Sequence, residues 1–195
     1  MKNIITISRE YGSGGRLIAK KIAEKIGYRF YDREIILKLA EKTGFAEKFI
    51  EENSEYSVNS ILNYNLLVRN TNGQSIEDYL WKVQRSLILD IAKEGKCVIV
   101  GRCADYILNN RTDVLNIFIY ADDNFKIKRV KNIYEEDKNI LKTIHEKDKR
   151  RKANYNFYTD EEWGMAKNYH LCLDSSYLGI DKCVDMIIDS AKIED

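Results

Sequence analysis

Apolar positions along the chain alternate between two rhythms. NIITIS (residues 3–8) is a short β-branched run ended by a glycine cluster, the pattern of a buried strand. Leu17, Ile18, Ile22, Ala23 and Ile26 then recur at helical spacing, and Gly27 stands where a C-cap glycine belongs. Tyr28–Tyr31 predicts a second short strand, with Asp32 as N-cap of a helix over Ile35–Lys42 that Gly44 closes. Residues 45–75 mix helix-like pieces with NSEYSVNS and NTNGQS and predict short helices and loops. Ile76–Glu94 predicts a long amphipathic helix, and CVIV at 97–100 a strand apolar on both faces. After a short helical segment, Ala104–Asn109, come a strand over Leu115–Tyr120 and a charged helical pair, Asn124–Asp137 and Ile140–Arg151. Leu171–Leu173, led in by Tyr169 and His170, is the last strand, and Ile180–Ile193 the closing helix. Strands alternating with helices predict a mostly parallel sheet covered on both faces, with right-handed crossovers. Ligands of such sheets sit at the carboxyl ends of the strands.

Composition narrows this picture. The chain has 195 residues, 44% hydrophobic and 32% charged, which suits one soluble domain over residues 1–195. A net charge of +1 and a pI near 7.6 give no electrostatic argument for nucleic acid or an anionic membrane as partner, so any anion site must be local. No apolar run reaches the length of a membrane span, and MKNIITISRE turns polar too soon for a secretion signal; the expected location is the cytoplasm. Four scattered cysteines without a CxxC pair, and only two histidines, predict reduced thiols rather than a metal cluster. Without proline, turns and helix ends rely on Gly, Asn, Asp and Ser.

Three predicted strand ends carry groups suited to phosphate. After the first strand, YGSGGR offers backbone N–H groups of Gly12, Ser13, Gly14 and Gly15, the positive end of a helix, and the planar fork of Arg16. After the second, Asp32 serves either as helix cap or as a carboxylate at the crevice, and Arg33 is placed to steer a second phosphate. After the third, Gly101 turns the chain, and Arg102 either emerges at the sheet edge or pairs locally with a carboxylate such as Asp105. A further cluster, KDKRRKANYNFYTDEEWG (147–164), runs from cations into an aromatic, turn-rich stretch; it is either a solvated helix end or a lid that closes cations over transferring phosphates. Arg129, on the preceding helix, points the same way. Trp81 and Trp163 are expected in core packing or lid contacts.

These segments, in this order, resemble the cytidylate kinase-like group of bacterial P-loop nucleoside monophosphate kinases. GSGG with IAKKIAEKIG resembles the phosphate loop and first helix. FYD at 30–32 resembles the strand-ending Asp beside the monophosphate, and VGR at 100–102 the family's DGR. NIFIYADDNFKIKRV, KDKRR and LDSSYLGIDKCVDMI resemble the fourth strand with its helix, the arginine-rich lid, and the last strand with its capped helix. The resemblance implies an α/β P-loop NTPase fold of three layers: a five-stranded parallel sheet flanked by helices, with a helical monophosphate-binding insertion (33–95) and a lid (138–164). It implies ATP and Mg2+ as cofactors and CMP or a related monophosphate as acceptor, hence a small-molecule nucleotide as partner. Carried over by position, Gly12, Ser13, Gly14, Gly15 and Arg16 bind donor phosphates, Asp32, Arg33 and Arg102 serve the monophosphate, and Arg16, Arg129 and Arg150 act in catalysis. No motif specifies an oligomeric state.

The loop departs from the family pattern. If Arg16 stood for the usual lysine, a gap would be needed before the helix. Without a gap the apolar face stays in phase as far as Asp32, and the lysine position of GxxxxGK falls on Gly15. The hydroxyl position is then Leu17, the first glycine is Arg9, and the acid of DGR is Val100. Arg16, one residue on, is expected to reach back and supply the charge, with Arg9 flanking the loop.

Overall fold

Five short strands with apolar residues on both faces can bury themselves only in the middle of a layered structure, and the chain builds one. The computed structural model describes residues 1–54, 76–134 and 139–193. The strands are β1 (Ile4–Arg9), β2 (Arg29–Tyr31), β3 (Cys97–Val100), β4 (Val114–Tyr120) and β5 (Leu171–Asp174). All pair in parallel, in the order β2-β3-β1-β4-β5. Ile7 of β1 stands level with Ile117 and with Val100, where β3 ends, while β1 and β4 run on past it to Arg9 and Tyr120.

The strand period of two sorts the core into two layers. Ile4, Tyr31, Cys97 and Ile99 face α2 (Arg33–Thr43), α3 (Glu47–Ser54) and α4 (Ile76–Glu94). Ile5, Ile7, Val98, Ile117 and Leu173 face α1 (Gly15–Ile26) and the closing helix. One buried polar pair crosses the sheet centre: the Thr6 hydroxyl donates to Asn116 Oδ1 at 2.7 Å, and the two residues stand in register. The remaining helices are α5 (Ala104–Ile107), α6 (Asp123–Tyr134), α7 (Ile140–Thr159), α8 (Ser175–Leu178) and α9 (Ile180–Ala191).

Three expectations need correction. The first concerns 147–164: α7 does not end at Arg151 but continues through the supposed turn-rich stretch to Thr159. Neither Gly nor Pro interrupts 140–159, and Ile144, Tyr155 and Thr159 keep one buried face in phase. Asp160, in the left-handed region at φ 55°, ends the helix by donating its N–H to Asn156. The second concerns Leu17, read as part of the apolar face of α1: it is 38% exposed and lines a crevice, while Ile18, Ala19 and Ile22 bury the helix. The third concerns Asp32. It stands at the N-cap position of α2, but its side chain makes no capping bond because the Arg16 guanidinium holds it. The part of the predicted 45–75 region that spans 55–75 lies outside the described residues.

Ile7 is fully buried beneath the loop that leaves β1. Ile7→Ala is expected to cost roughly 2–5 kcal/mol of unfolding free energy, measured by urea denaturation.

Candidate functional site

The strand ends converge on one loop. β1 runs out at Arg9, and residues 10–14 turn the chain into the N-terminus of α1. Gly14 takes φ 84° and ψ 2°, a left-handed geometry that glycine adopts without steric cost, and a Cβ there would lie 2.5 Å from Ile180 Cδ1. The loop therefore presents bare backbone at a helix N-terminus, the arrangement that binds phosphate.

Four tethers hold the loop. The Ser13 hydroxyl donates to the Glu10 carbonyl at 2.9 Å. The Ser175 hydroxyl, at the start of α8, lies 2.6 Å from the Ser13 carbonyl and 3.1 Å from that of Tyr120. The Glu10 carboxylate accepts from the Ala121 N–H and from Lys126 Nζ, both at 3.2 Å. Burial disfavours the Lys126 charge, but Asp123 and Glu10 on either side outweigh it and hold its pKa above the ordinary value. Finally, the Tyr11 N–H donates to Asp148 of α7 at 2.6 Å. Lys147 and Arg151 lie over the Tyr11 ring, 4.0 and 5.6 Å from its centroid. α7 is thereby laid against the loop.

A crevice of about 350 Å³ opens over this loop, a size common for small-molecule sites. Arg9, Arg16, Arg129 and Arg151 all line it, from four different elements or loop ends. The Arg129 Nε lies 3.3 Å from where a Cβ of Gly14 would stand, so its guanidinium lies against the loop. Arg151 Nη1 donates to the Arg9 carbonyl at 3.2 Å and approaches Asp148 at 3.4 Å. A second, narrow pocket of about 30 Å³ adjoins it and is lined by Ser8, Arg9, Arg102, Arg151, Asn154 and Trp163. Arg9 and Arg151 line both.

Of the residues singled out in the sequence, Gly12, Gly14, Gly15, Arg16 and Arg129 line the crevice; Ser13 is buried beneath it and shapes the loop. Arg16 and Asp32, assigned above to two different sites, are joined by an ion pair of 2.5 Å. Arg33 turns away to Glu47, 3.2 Å off, on the surface. Arg102 lines the narrow pocket at φ 60°, and its carbonyl accepts from the buried Gln84 amide at 3.3 Å. Arg150 is exposed and lines neither pocket, whereas its neighbour Arg151 faces inward. Helical phase carries that signal: Ile144, Asp148, Arg151, Tyr155 and Thr159 share one stripe, and Arg150 lies off it. Trp81 stacks on Tyr158 of α7 at 4.5 Å, and Trp163 meets Phe118 edge-on.

Asp105 anchors α7 from the other side. It is 3% exposed, and its oxygens lie 2.8 Å from the Tyr155 hydroxyl and 3.5 Å from that of Ser8. Tyr155 also lies 3.2 Å from Glu161, so one phenol proton faces two carboxyl groups. Burial pushes the Asp105 carboxyl up to about 6, partly offset by the Tyr155 hydrogen bond. Burial likewise pushes Asp148 up to about 6, against the pull of Arg151.

Known proteins resemble this chain along nearly its whole length. Residues 4–177 match the cytidylate kinase-like family. The chain belongs to that family. A cytidylate kinase from Archaeoglobus fulgidus is 24% identical, the match covering 97% of this chain and 95% of the relative. The crystal structure of a protein from Eubacterium ventriosum superposes with a TM-score of 0.75 at 28% identity, covering 98% of this chain and 99% of the other. A shikimate kinase from Acinetobacter baumannii, solved with shikimate, reaches 0.55 at 14% identity over 98% and 96%; that likeness shows the P-loop kinase fold alone. The family's three-layer architecture is thus the one on which the crevice is built. No helix among the described residues is long and apolar enough to cross a membrane.

Because the Asp105 pKa lies above its unfolded value, the native state keeps this proton between about pH 4 and 6 while the unfolded state loses it. Stability owed to Asp105 is therefore highest below pH 4 and falls as pH rises to 6. Asp105→Asn is expected to gain roughly 3 kcal/mol on the parent between pH 4 and 7, at about 1.4 kcal/mol per pKa unit. Denaturation curves of both proteins across that range check it; an unchanged difference would refute it.

Proposed function

We propose that this chain is a nucleoside monophosphate kinase, transferring the terminal phosphoryl group of ATP to CMP or a related monophosphate. The observation that carries the reading is the convergence of Arg9, Arg16, Arg129 and Arg151 on a bare-backbone loop at a helix N-terminus. Phosphoryl transfer asks a protein for in-line positioning, charge neutralisation and exclusion of water, and needs no protein nucleophile. The loop would hold the donor phosphates by its N–H groups. Arg102, at the narrow pocket, would meet the acceptor phosphate, and Arg9 and Arg151, lining both pockets, would stand on either side of the group in transit. α7 would serve as the lid of 138–164, and α2 to α4 belong to the acceptor-binding insertion of 33–95, within one kinase domain.

The residues fit the donor phosphates, because Gly12, Gly14 and Gly15 line the crevice as bare backbone at the N-terminus of α1. They do not fit a magnesium ion held by the protein. Leu17 and Val100 occupy the usual hydroxyl and acid positions, and no group of three metal-ligating side chains occurs among the described residues. The exposed Leu17 in the crevice supports a second reading, a nucleotide-binding module that does not transfer phosphate.

A coupled ADP-release assay across monophosphates, with Mg2+ present, separates the two. Turnover with CMP or another monophosphate is expected; ATP binding without turnover for any acceptor supports the second reading. Arg151→Ala is expected to lower kcat/KM roughly tenfold or more, and to exceed the loss in Arg150→Ala. Equal losses would count against the inward stripe of α7 as the lid's working face.

A further inference from the structure

The usual phosphate loop, G-x4-G-K, has a glycine where the strand ends and a lysine where the helix begins. In this chain the same two positions hold Arg9 and Gly15. Glycine and cation have changed places, and the structure shows that the two changes depend on each other. A Cβ on Gly15 would lie 2.6 Å from Arg9 Cβ and 3.1 Å from its Cγ, so the Arg9 stem fills the space into which a side chain at 15 would grow. From there the stem crosses to the end of β3. A Cβ on Gly101 would overlap Arg9 Nη1 and lie 3.2 Å from Cζ. Two glycines, 86 residues apart in the chain, thus make the channel in which this arginine lies.

We propose that Arg9 is the phosphate-loop cation of this chain. It delivers from the strand end the charge that a lysine ordinarily delivers from the helix start. Arg9 lines both pockets, with its guanidinium against Gly101 at the end of β3, and the terminal phosphate of a bound triphosphate would sit beside it. The fork offers that phosphate two parallel N–H donors, where a lysine offers a point charge. Arg16, one residue beyond the lysine position, is engaged by Asp32 at the crevice wall. The proposal rests on the kinase reading for the name of the ligand, and its primary readout is binding.

The test is an exchange of the two positions. Arg9→Met, Arg9→Gly, Gly15→Lys and the double variant Arg9→Gly/Gly15→Lys are compared with the parent. Calorimetry measures affinity for inorganic tripolyphosphate and for ATP, with thermal unfolding followed in parallel. Arg9→Met keeps the stem against Gly15 and removes the charge; it should stay folded and bind tripolyphosphate roughly ten- to a hundredfold more weakly. Gly15→Lys should lower the unfolding midpoint through its clash with Arg9. The double variant should recover that midpoint and bind tripolyphosphate more tightly than Arg9→Gly does. Parent-like binding by Arg9→Met, or a double variant no better than Arg9→Gly, overturns the proposal. If the parent binds and responds in this way yet transfers no phosphate, the exchange stands and the kinase reading falls. If the parent turns over and Arg9→Met matches it in turnover and binding, the kinase reading stands and the exchange falls. A parent that binds neither tripolyphosphate nor ATP overturns both.

Discussion

A chain leaving a fully buried strand must become a helix within five residues while its N–H groups stay open to an anion. The rest of the structure depends on this constraint. A loop of bare backbone has few side chains with which to hold itself, so its neighbours hold it: Ser175 at the Ser13 carbonyl, Lys126 at Glu10, and Asp148 at the Tyr11 N–H. Each tether comes from a different helix, and all three helices follow the fourth strand, β4. The phosphate loop at the start of the chain is therefore shaped by segments more than 110 residues away, and the parallel register of β1 on β4 brings them there.

The second consequence is electrostatic. The protein as a whole is nearly neutral, yet four arginines line a single crevice. Like charges brought together repel, so their convergence has to be held by packing and by local carboxylates. Asp32 holds Arg16, and Asp148 approaches Arg151. A polyanion entering the crevice would meet positive charge from four sides.

α7 joins the two pockets. On one side it touches the phosphate loop through Asp148, Lys147 and Arg151; on the other it reaches the sheet through Tyr155 and Asp105. Asp105 is buried and Asp148 partly buried, both with raised pKa values, so the contacts of this helix with the body carry a proton dependence. The stacking of Trp81 on Tyr158 adds a third contact, with α4.

Much of this was written in the sequence. Hydrophobic periodicity placed the five strands within a residue or two, because a buried parallel strand has to be apolar on both faces. The glycine cluster after β1 marked where the chain leaves the sheet as bare backbone at a helix N-terminus, an arrangement suited to an anion. Side-chain direction was harder to read. Arg150 was singled out as an arginine beside other arginines, but the helical phase of α7 turns Arg151 inward, and that phase shows only once the helix is known to run on to Thr159. Asp32 looked like a cap and Arg16 like a loop cation, and each instead meets the other across two elements. The place of Arg9 was decided by tertiary structure alone. Its course depends on the empty space above Gly15 and Gly101, two positions that come together only when β1, α1 and β3 are assembled. Local pattern determines which segments form and where the backbone can receive an anion. Which charges meet there depends on packing between segments far apart in the chain.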